Sequence, residues 1–412
     1  MKYGLIGRSL VHSFSKNIHR ELSDYVYNYY EITKEDLPSL LKEEDIGGFN
    51  VTIPYKQEVI KYCKSLSPSA KKIGSVNTLV YDKDRNIKGY NTDYDGFIYL
   101  LKRSNIELKE ASVLILGSGG TSLTATAVAS DLGAAKITVV SRKGPVTYEN
   151  LEPYYNSTII INTTPVGMYP NNGESLIDLS LFKECKAVVD VVYNPLKTKL
   201  ILQAESLGIK ATGGLPMLVA QARTASELFT GKTISDAKVE SIIKSLSKEK
   251  ENIILVGMPG CGKSTIGAAL AKLTGKELIE TDALVEAQEK KTIPEIFQEK
   301  GEEYFREVEK SIVASVGKRS GVIISTGGGV ILNKENLEPL RQNGRIYFIK
   351  RPIENLSRNG RPLSRSLIAL KEMYKIRLPL YLSFANEIVY NITTVSETAY
   401  RILQIYNKSS LL

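Results

Sequence analysis

The feature that most restricts the fold of this 412-residue chain is a pair of glycine-rich loops, each entered from an aliphatic run and each leading into small, helix-compatible residues. Val113-Leu-Ile-Leu116 runs into Gly117-Ser118-Gly119-Gly120, with a helix expected through about Leu132. Asn252-Ile-Ile-Leu-Val256 runs into Gly257 to Thr265, with a helix expected through about Leu273. A strand, a glycine loop and a helix in that order open a parallel α/β unit. Two such units, widely separated in the chain, require two separate parallel sheets, and the length agrees with two or three domains.

Composition removes several classes. With 42% hydrophobic and 24% charged residues the chain matches soluble globular proteins. No apolar run approaches the ~18 residues that suggest a membrane span, so no membrane partner is expected. The first residues, MKYGLIGRSL, lack the unbroken apolar stretch of a signal peptide. Cys63, Cys185 and Cys261 lie far apart without a CxxC pair, which argues against a disulfide framework or structural zinc and fits a reducing cytoplasm. The net charge of +9 is spread along the chain with no long basic block, so anionic small molecules explain it better than nucleic acid.

Between the loops, residues 244–251 lie in a stretch (KSLSKEKEN, 244–252) that is polar and poor in apolar residues, and form the linker candidate. A helix could run into it. The expected division is an α/β domain over 1–100, a nucleotide-binding domain over 101–245 and a second nucleotide-binding domain over 252–412. A helix over about 217–245 is expected to pack back on the first domain.

The first loop, Gly117, Ser118, Gly119 and Gly120 followed by Thr121, would let backbone approach a pyrophosphate at a helix N-terminus. A glycine triplet alone also suits a plain strand-to-helix turn, and the next strand decides between these. Lys136 to Val140 ends in Ser141-Arg142-Lys143, where an NAD site usually carries Asp or Glu for the ribose 2′-hydroxyl. Two cations there suit a 2′-phosphate, so NADP is expected rather than NAD.

Residues 1 to about 245 resemble shikimate dehydrogenase. Gly7 to His19 is similar to the family's HSxSPxxH stretch, and Gly48 to Lys56 (GFNVTIPYK) to its GxNVTxPxK stretch. Val76-Asn77-Thr78, Asn91-Thr92-Asp93, Asn162 to Met168 (NTTPVGM), Asp190 to Pro195 (DVVYNP) and Gly214 to Gln221 (GLPMLVAQ) follow in family order. The resemblance implies Lys56 as general acid and Asp93 as its partner, with Ser13, Ser15, Thr52, Asn77, Tyr193 and Gln221 around the substrate. Gly214 is implied to border the cofactor. Ketone reduction needs such an acid, because hydride goes to carbon and a proton must reach oxygen. Ser13 and Ser15, two apart, are expected to face the same way on an extended segment and to donate to the substrate carboxylate. His12 and His19 are assigned structural roles. Lys16 replaces the family's proline, Pro216 a glycine, and Ser141 and Lys143 the residues that usually flank Arg142. These departures bear on substrate affinity and on strictness for NADP.

Gly257 to Thr265 (GMPGCGKST) satisfies the GxxxxGK[ST] phosphate loop directly after a strand. Gly260, Cys261, Gly262, Lys263, Ser264 and Thr265 would cradle ATP, with Lys263 on the β- and γ-oxygens and Ser264 on Mg²⁺. Cys261 reads as a small filler. The loop alone fits any ATPase or GTPase. From about Asn252 onward the chain resembles shikimate kinase, through Leu278 to Asp282 (LIETD), Gly301 to Glu309 (GEEYFREVE), Ser325 to Gly329 (STGGG), Arg361-Pro-Leu363 and Arg377 to Tyr381 (RLPLY). The resemblance implies that Asp282 holds the attacking hydroxyl, that Arg306 and Arg377 clamp a carboxylate, and that Gly328 and Gly329 offer bare backbone to the ring. Arg361 would reach the transferring phosphate and Arg358 the adenine. Glu280 stands in place of the first aspartate of the family's DTD, and the lid is short.

Together these resemblances imply an α/β chain: a substrate domain with a Rossmann NADP-binding domain, then a P-loop domain of the nucleoside-monophosphate-kinase type with a parallel sheet. The implied activities are NADPH-dependent reduction of 3-dehydroshikimate and ATP-dependent phosphorylation of shikimate. A quinate/shikimate dehydrogenase with kinase and a non-catalytic metabolite sensor are the rival readings. Oligomerisation is left open.

Overall fold

The computed structural model describes residues 1–10, 14–357 and 367–408. They form two compact units. The first comprises residues 1–166, 174–193 and 203–245, and the second 167–173, 194–202 and the chain from 246 onward.

The first unit holds two sheets. Strands β1 (Lys2–Gly7), β2 (Tyr27–Glu31), β3 (Ile46–Val51), β4 (Ser65–Leu66), β5 (Thr78–Tyr81) and β6 (Ile87–Tyr90) pair in the order β2-β1-β3-β5-β6-β4. This sheet is mixed, with β5 antiparallel to both β3 and β6. Strands β7 (Ser112–Leu116), β8 (Lys136–Val140), β9 (Ile159–Asn162), β10 (Ala187–Asp190) and β11 (Lys210–Thr212) form a wholly parallel sheet in the order β11-β10-β9-β7-β8. Its strand order reverses between β7 and β9, so a crevice opens beyond their C-terminal ends, where α/β sheets bind ligands. Val113 to Leu116 are all buried, as expected for a parallel strand covered on both faces.

Two helices tie the first sheet to the second. Helix Thr92–Arg103 starts at Asn91, whose side chain accepts from the Tyr94 amide, and packs on helix Leu215–Thr230. The contact is close because Gly96 has no side chain. A Cβ there would lie 2.7 Å from the Met217 carbonyl oxygen and 2.9 Å from the Gln221 Cβ. Further along, Phe229 joins Tyr3, Leu5 and Tyr27 in one apolar cluster, and the Tyr3 hydroxyl donates to the Phe229 carbonyl at 2.9 Å.

The second unit has one parallel sheet. Strands β12 (Asn252–Val256), β13 (Leu278–Glu280), β14 (Ile323–Ser325), β15 (Gly344–Lys350) and β16 (Glu387–Tyr390) lie in the order β13-β14-β12-β15-β16. β12 is central and fully enclosed, which explains its unbroken aliphatic sequence. Because β12 and β14 are neighbours, the loops that leave them sit side by side. The upstream segments 167–173 and 194–202 also belong to this unit, where the Asn172 carbonyl accepts from the Gln342 amide at 3.0 Å.

Two expectations change. The single helix expected over 217–245 is two helices, Leu215–Thr230 and Asp236–Lys250, because Gly231 turns left-handed at φ 71° and ends the first. Residues 244–250, expected as linker, are helical, and Leu246, Ser247 and Glu251 are buried. The buried charge of this stretch is paired: Glu251 accepts from Arg345 at 3.0 Å and from Lys248 at 2.9 Å. Lys276 also donates to the carbonyls of Lys248, Glu249 and Glu251, which satisfies the end of the helix. Among the described residues no helix is long and apolar enough to cross a membrane.

Candidate active sites

In the first unit, Lys56 follows the turn after β3 and Asp93 lies in the first turn of helix Thr92–Arg103. The Lys56 Nζ is 2.6 Å from the Asp93 Oδ2, with the side chains 21% and 14% exposed. The pair is therefore largely shielded but reachable. Its placement rests on backbone contacts between the segments that carry it. The Val76 amide donates to the Lys56 carbonyl at 2.8 Å, and the Asn91 side chain donates to the Ser75 carbonyl at 2.9 Å.

Asn77, buried behind this pair, accepts from the Thr92 amide at 2.7 Å and donates to its hydroxyl at 3.1 Å. The Thr92 hydroxyl in turn donates to Gln221 Oε1 at 3.4 Å. Asn77 and Gln221, far apart in sequence, are thus brought together by Thr92, a residue that sequence reasoning did not single out. Thr52 follows β3 and its amide donates to the Ile6 carbonyl at 2.9 Å. Tyr193 lies against the Phe14 ring at 5.3 Å, and burial pushes its hydroxyl pKa up.

Ser15 departs from the extended segment expected for it. It begins helix Ser15–Leu22, because Ile18, His19 and Leu22 recur at helical spacing and bury against the sheet. Ser13 and His12 lie outside the described residues. His19 is fully buried and stacked on Tyr27 at 4.0 Å, and burial lowers its pKa to about 3. It is a neutral packing group.

The first glycine loop leaves β7 at the strand-order reversal. Gly117 has φ 106°, and a Cβ there would meet the Thr164 and Thr163 side chains at 2.7 and 2.9 Å. Glycine is required on both counts. Ser118, Gly119 and Gly120 are exposed, a Cβ at Gly119 would meet nothing within 4 Å, and Thr121 lies in the first turn of helix Gly120–Asp131. That helix has no side-chain cap, so its first N–H groups face open space, as a pyrophosphate cradle requires. Arg142 and Lys143 are exposed just beyond β8, while the Ser141 amide is engaged by the Val146 carbonyl at 3.0 Å. Gly214 has no room for any side chain, since a Cβ would run into the Val191 backbone.

In the second unit a cavity of about 490 Å³ is lined by the phosphate loop, Glu280, Asp282, Arg306, Glu309, the 327–329 glycines and Arg377. Gly257, Gly260 and Gly262 all have positive φ, which gives the loop its shape. The Lys263 ammonium donates to the carbonyls of Gly257 at 2.8 Å and Met258 at 3.2 Å. Ser264 and Thr265 are exposed at the start of helix Lys263–Thr274. Cys261 is fully buried, consistent with a filler.

Opposite the loop, Arg306 donates to Glu309 at 2.8 Å and to Glu302 at 2.8 Å. Arg377 donates to the Gly328 carbonyl at 3.0 Å, and Tyr381 donates to the same oxygen at 2.5 Å. A Cβ at Gly328 would strike Pro259 of the loop at 2.7 Å, and one at Gly329 would strike the Arg306 guanidinium. A Cβ at Gly327 would fall 2.5 Å from Asp282 Oδ1 and 2.8 Å from Glu309 Oε1, so two carboxylates converge on that glycine. Burial raises the Glu309 pKa, with the charge of Arg306 opposing the shift.

Two supporting residues escaped the sequence reading. Glu309 closes the quoted GEEYFREVE stretch, and its spacing from Arg306 on one helix face is a legible signal. Asn391 had none. It follows β16 and donates to the Cys261 carbonyl at 2.7 Å, bracing the phosphate loop from a distant part of the chain. Arg358 and Arg361 lie outside the described residues.

Comparison with known proteins identifies a family for each half of the chain. Residues 5–79 match the shikimate dehydrogenase substrate binding domain, and residues 259–407 match shikimate kinase. A shikimate dehydrogenase (NADP(+)) of Clostridium perfringens is 36% identical over 265 residues, covering 59% of this chain and 97% of the relative. A chorismate mutase/shikimate 5-dehydrogenase fusion protein from Clostridium acetobutylicum aligns with 37% identity and a TM-score of 0.58, over 60% of this chain and 97% of that one. Shikimate 5-dehydrogenase from Thermus thermophilus, solved in complex with NADP(H) and shikimate, aligns with 30% identity and a TM-score of 0.54, over 60% and 99%. The chain belongs to the shikimate dehydrogenase family and carries, on the same polypeptide, a shikimate kinase domain.

Proposed function

We propose that this chain catalyses two consecutive reactions, reduction of 3-dehydroshikimate to shikimate with NADPH and phosphorylation of the shikimate 3-hydroxyl with ATP. One observation carries the reading. A shielded Lys56–Asp93 pair and a phosphate loop facing Asp282 occur on one chain, and the product of the first chemistry is the substrate of the second.

In the first reaction Lys56 is the proton donor to the carbonyl oxygen and Asp93 holds it in place. Thr52, Asn77 and Gln221 hold the ring hydroxyls, Ser15 with Ser13 the carboxylate, and Tyr193 borders the substrate. The open, uncapped helix start at Gly119 and Gly120 fits a dinucleotide pyrophosphate, with Ser118 and Thr121 beside it and Arg142 and Lys143 near a 2′-phosphate. When bound there, the cofactor supplies the hydride.

In the second reaction Asp282 accepts the proton of the attacking hydroxyl, and Arg306 and Arg377 hold the carboxylate. Gly328 and Gly329 leave the ring against backbone. The loop amides from Gly260 to Thr265 receive the phosphates, and Lys263 exchanges its carbonyl partners for phosphate oxygens. Ser264 and Glu280 both line the cavity and would hold Mg²⁺, Ser264 directly and Glu280 through water. A bound Mg²⁺ neutralises phosphate charge. The sequence resemblance adds Arg358 at the adenine and Arg361 at the transferring phosphate.

The test is a coupled assay with 3-dehydroshikimate, NADPH and ATP. NADPH consumption followed by equimolar ADP is the expected result. ADP formation that ignores shikimate, or no NADPH consumption, overturns the reading.

A further inference from the structure

Asp131 is an unexpected residue at its position. It ends helix Gly120–Asp131, the helix whose other end is the cofactor loop. An acidic side chain at a helix C-terminus meets the negative end of the helix dipole and is unfavourable there by itself. Asp131 is held by two groups from other segments. The Lys72 ammonium pairs with its Oδ1, and the Tyr94 hydroxyl donates to its Oδ2 at 2.7 Å. These bonds also hold the Asp131 pKa below the ordinary carboxylate value.

Both partners sit beside the substrate groups. Lys72 is on the short helix Pro68–Ile73, three residues before Ser75, and the chain then reaches Asn77. Tyr94 is the neighbour of Asp93, in the first turn of its helix. At the loop end of the cofactor helix, Ser75 comes close again, its hydroxyl 4.0 Å from where a Cβ on Gly120 would stand. One helix thus faces the cofactor at its start and grips two substrate-site segments at its end.

We infer that Asp131 is a positioning residue that couples the seating of the cofactor to the placement of Asn77 and Asp93. The inference rests on the dehydrogenase reading given above. The Lys72–Asp131 pair is about two-fifths exposed on both sides, 44% and 39%. Exposed pairs are weak, so the contact is of a size that ligands can make and break, with an expected coupling of about two- to five-fold in affinity.

The experiment uses the full chain and reads the NADPH dissociation constant by its fluorescence, with and without saturating shikimate. Neither ligand can reduce the other, so the complex does not turn over. Wild type should bind NADPH about two- to five-fold more tightly with shikimate present. Asp131→Lys should lose this factor, because Lys72 then meets a second cation and the Tyr94 hydroxyl loses its acceptor. The double variant Lys72→Asp with Asp131→Lys should recover the factor. A merely structural role predicts an unchanged factor, whatever the melting temperature. An unchanged factor in Asp131→Lys, or none in a wild type that binds NADPH, overturns the inference. A wild type that binds no NADPH at all overturns the dehydrogenase reading itself, and the inference falls with it.

Discussion

Lys56 and Asp93 show how a common residue type becomes specific. A lysine after a strand is ordinarily a surface charge. Here it is shielded to 21% exposure and fixed at 2.6 Å from a carboxylate that begins a helix. Replacing Lys56 with alanine removes the proposed proton donor and none of the partners in the hydrogen bonds between Asn77 and Thr92. The expected outcome is a loss of ~10²–10⁴-fold in dehydrogenase kcat, with shikimate phosphorylation retained. Steady-state assays of both reactions check it, and near wild-type turnover would remove Lys56 from the chemistry. Arg142 is exposed beyond β8, where the proposed reading puts the cofactor's 2′-phosphate. Arg142→Ala should raise the KM for NADPH much more than for NADH, since only NADPH carries the 2′-phosphate. An equal rise for both would place the discrimination elsewhere.

At the scale of elements, the helices decide where site residues stand. Gly96 lets two helices touch, which carries Gln221 to Thr92. Helix Ser15–Leu22 buries His19 under the first sheet, and this has a consequence for pH. Burial disfavours the charge of His19 and lowers its pKa from the ordinary 6.5 to about 3 in the folded chain. Between those values the unfolded chain binds the extra proton, so stability is complete above about pH 6.5 and falls as pH drops toward 3. The slope from this group approaches about 1.4 kcal/mol per pH unit well inside that window. Phenylalanine keeps a ring on Tyr27 and cannot charge. Urea unfolding of His19→Phe, followed by tyrosine fluorescence, should lose this part of the acid sensitivity between pH 6 and 4. Parallel pH dependence in both proteins would contradict it.

At the scale of the whole molecule, the two sites are built on separate sheets with separate cores. Effects at such sites are usually additive. Lys263→Met should therefore abolish ATP-dependent phosphorylation and leave NADPH oxidation within about twofold, as assays of the same purified variant would show. A large dehydrogenase loss in a folded variant would mean that the two activities are coupled. What the sequence determined by itself was local: both strand–loop–helix units, the cations after β8, and residues such as Lys56 and Asp93 that lie within recognisable short stretches. Those features depend on backbone conformation and residue type within a few positions, so they are visible in one dimension. The tertiary structure alone decided which distant groups meet. Asn391 braces Cys261, Thr92 joins Asn77 to Gln221, and Asp131 takes Lys72 and Tyr94, all across long separations. It also turned the polar 244–250 stretch into a helix, because Arg345 and Lys276 satisfy charges and carbonyls that sequence alone would leave to water. Such contacts arise from packing whole sheets and helices together, and no spacing in the chain encodes them.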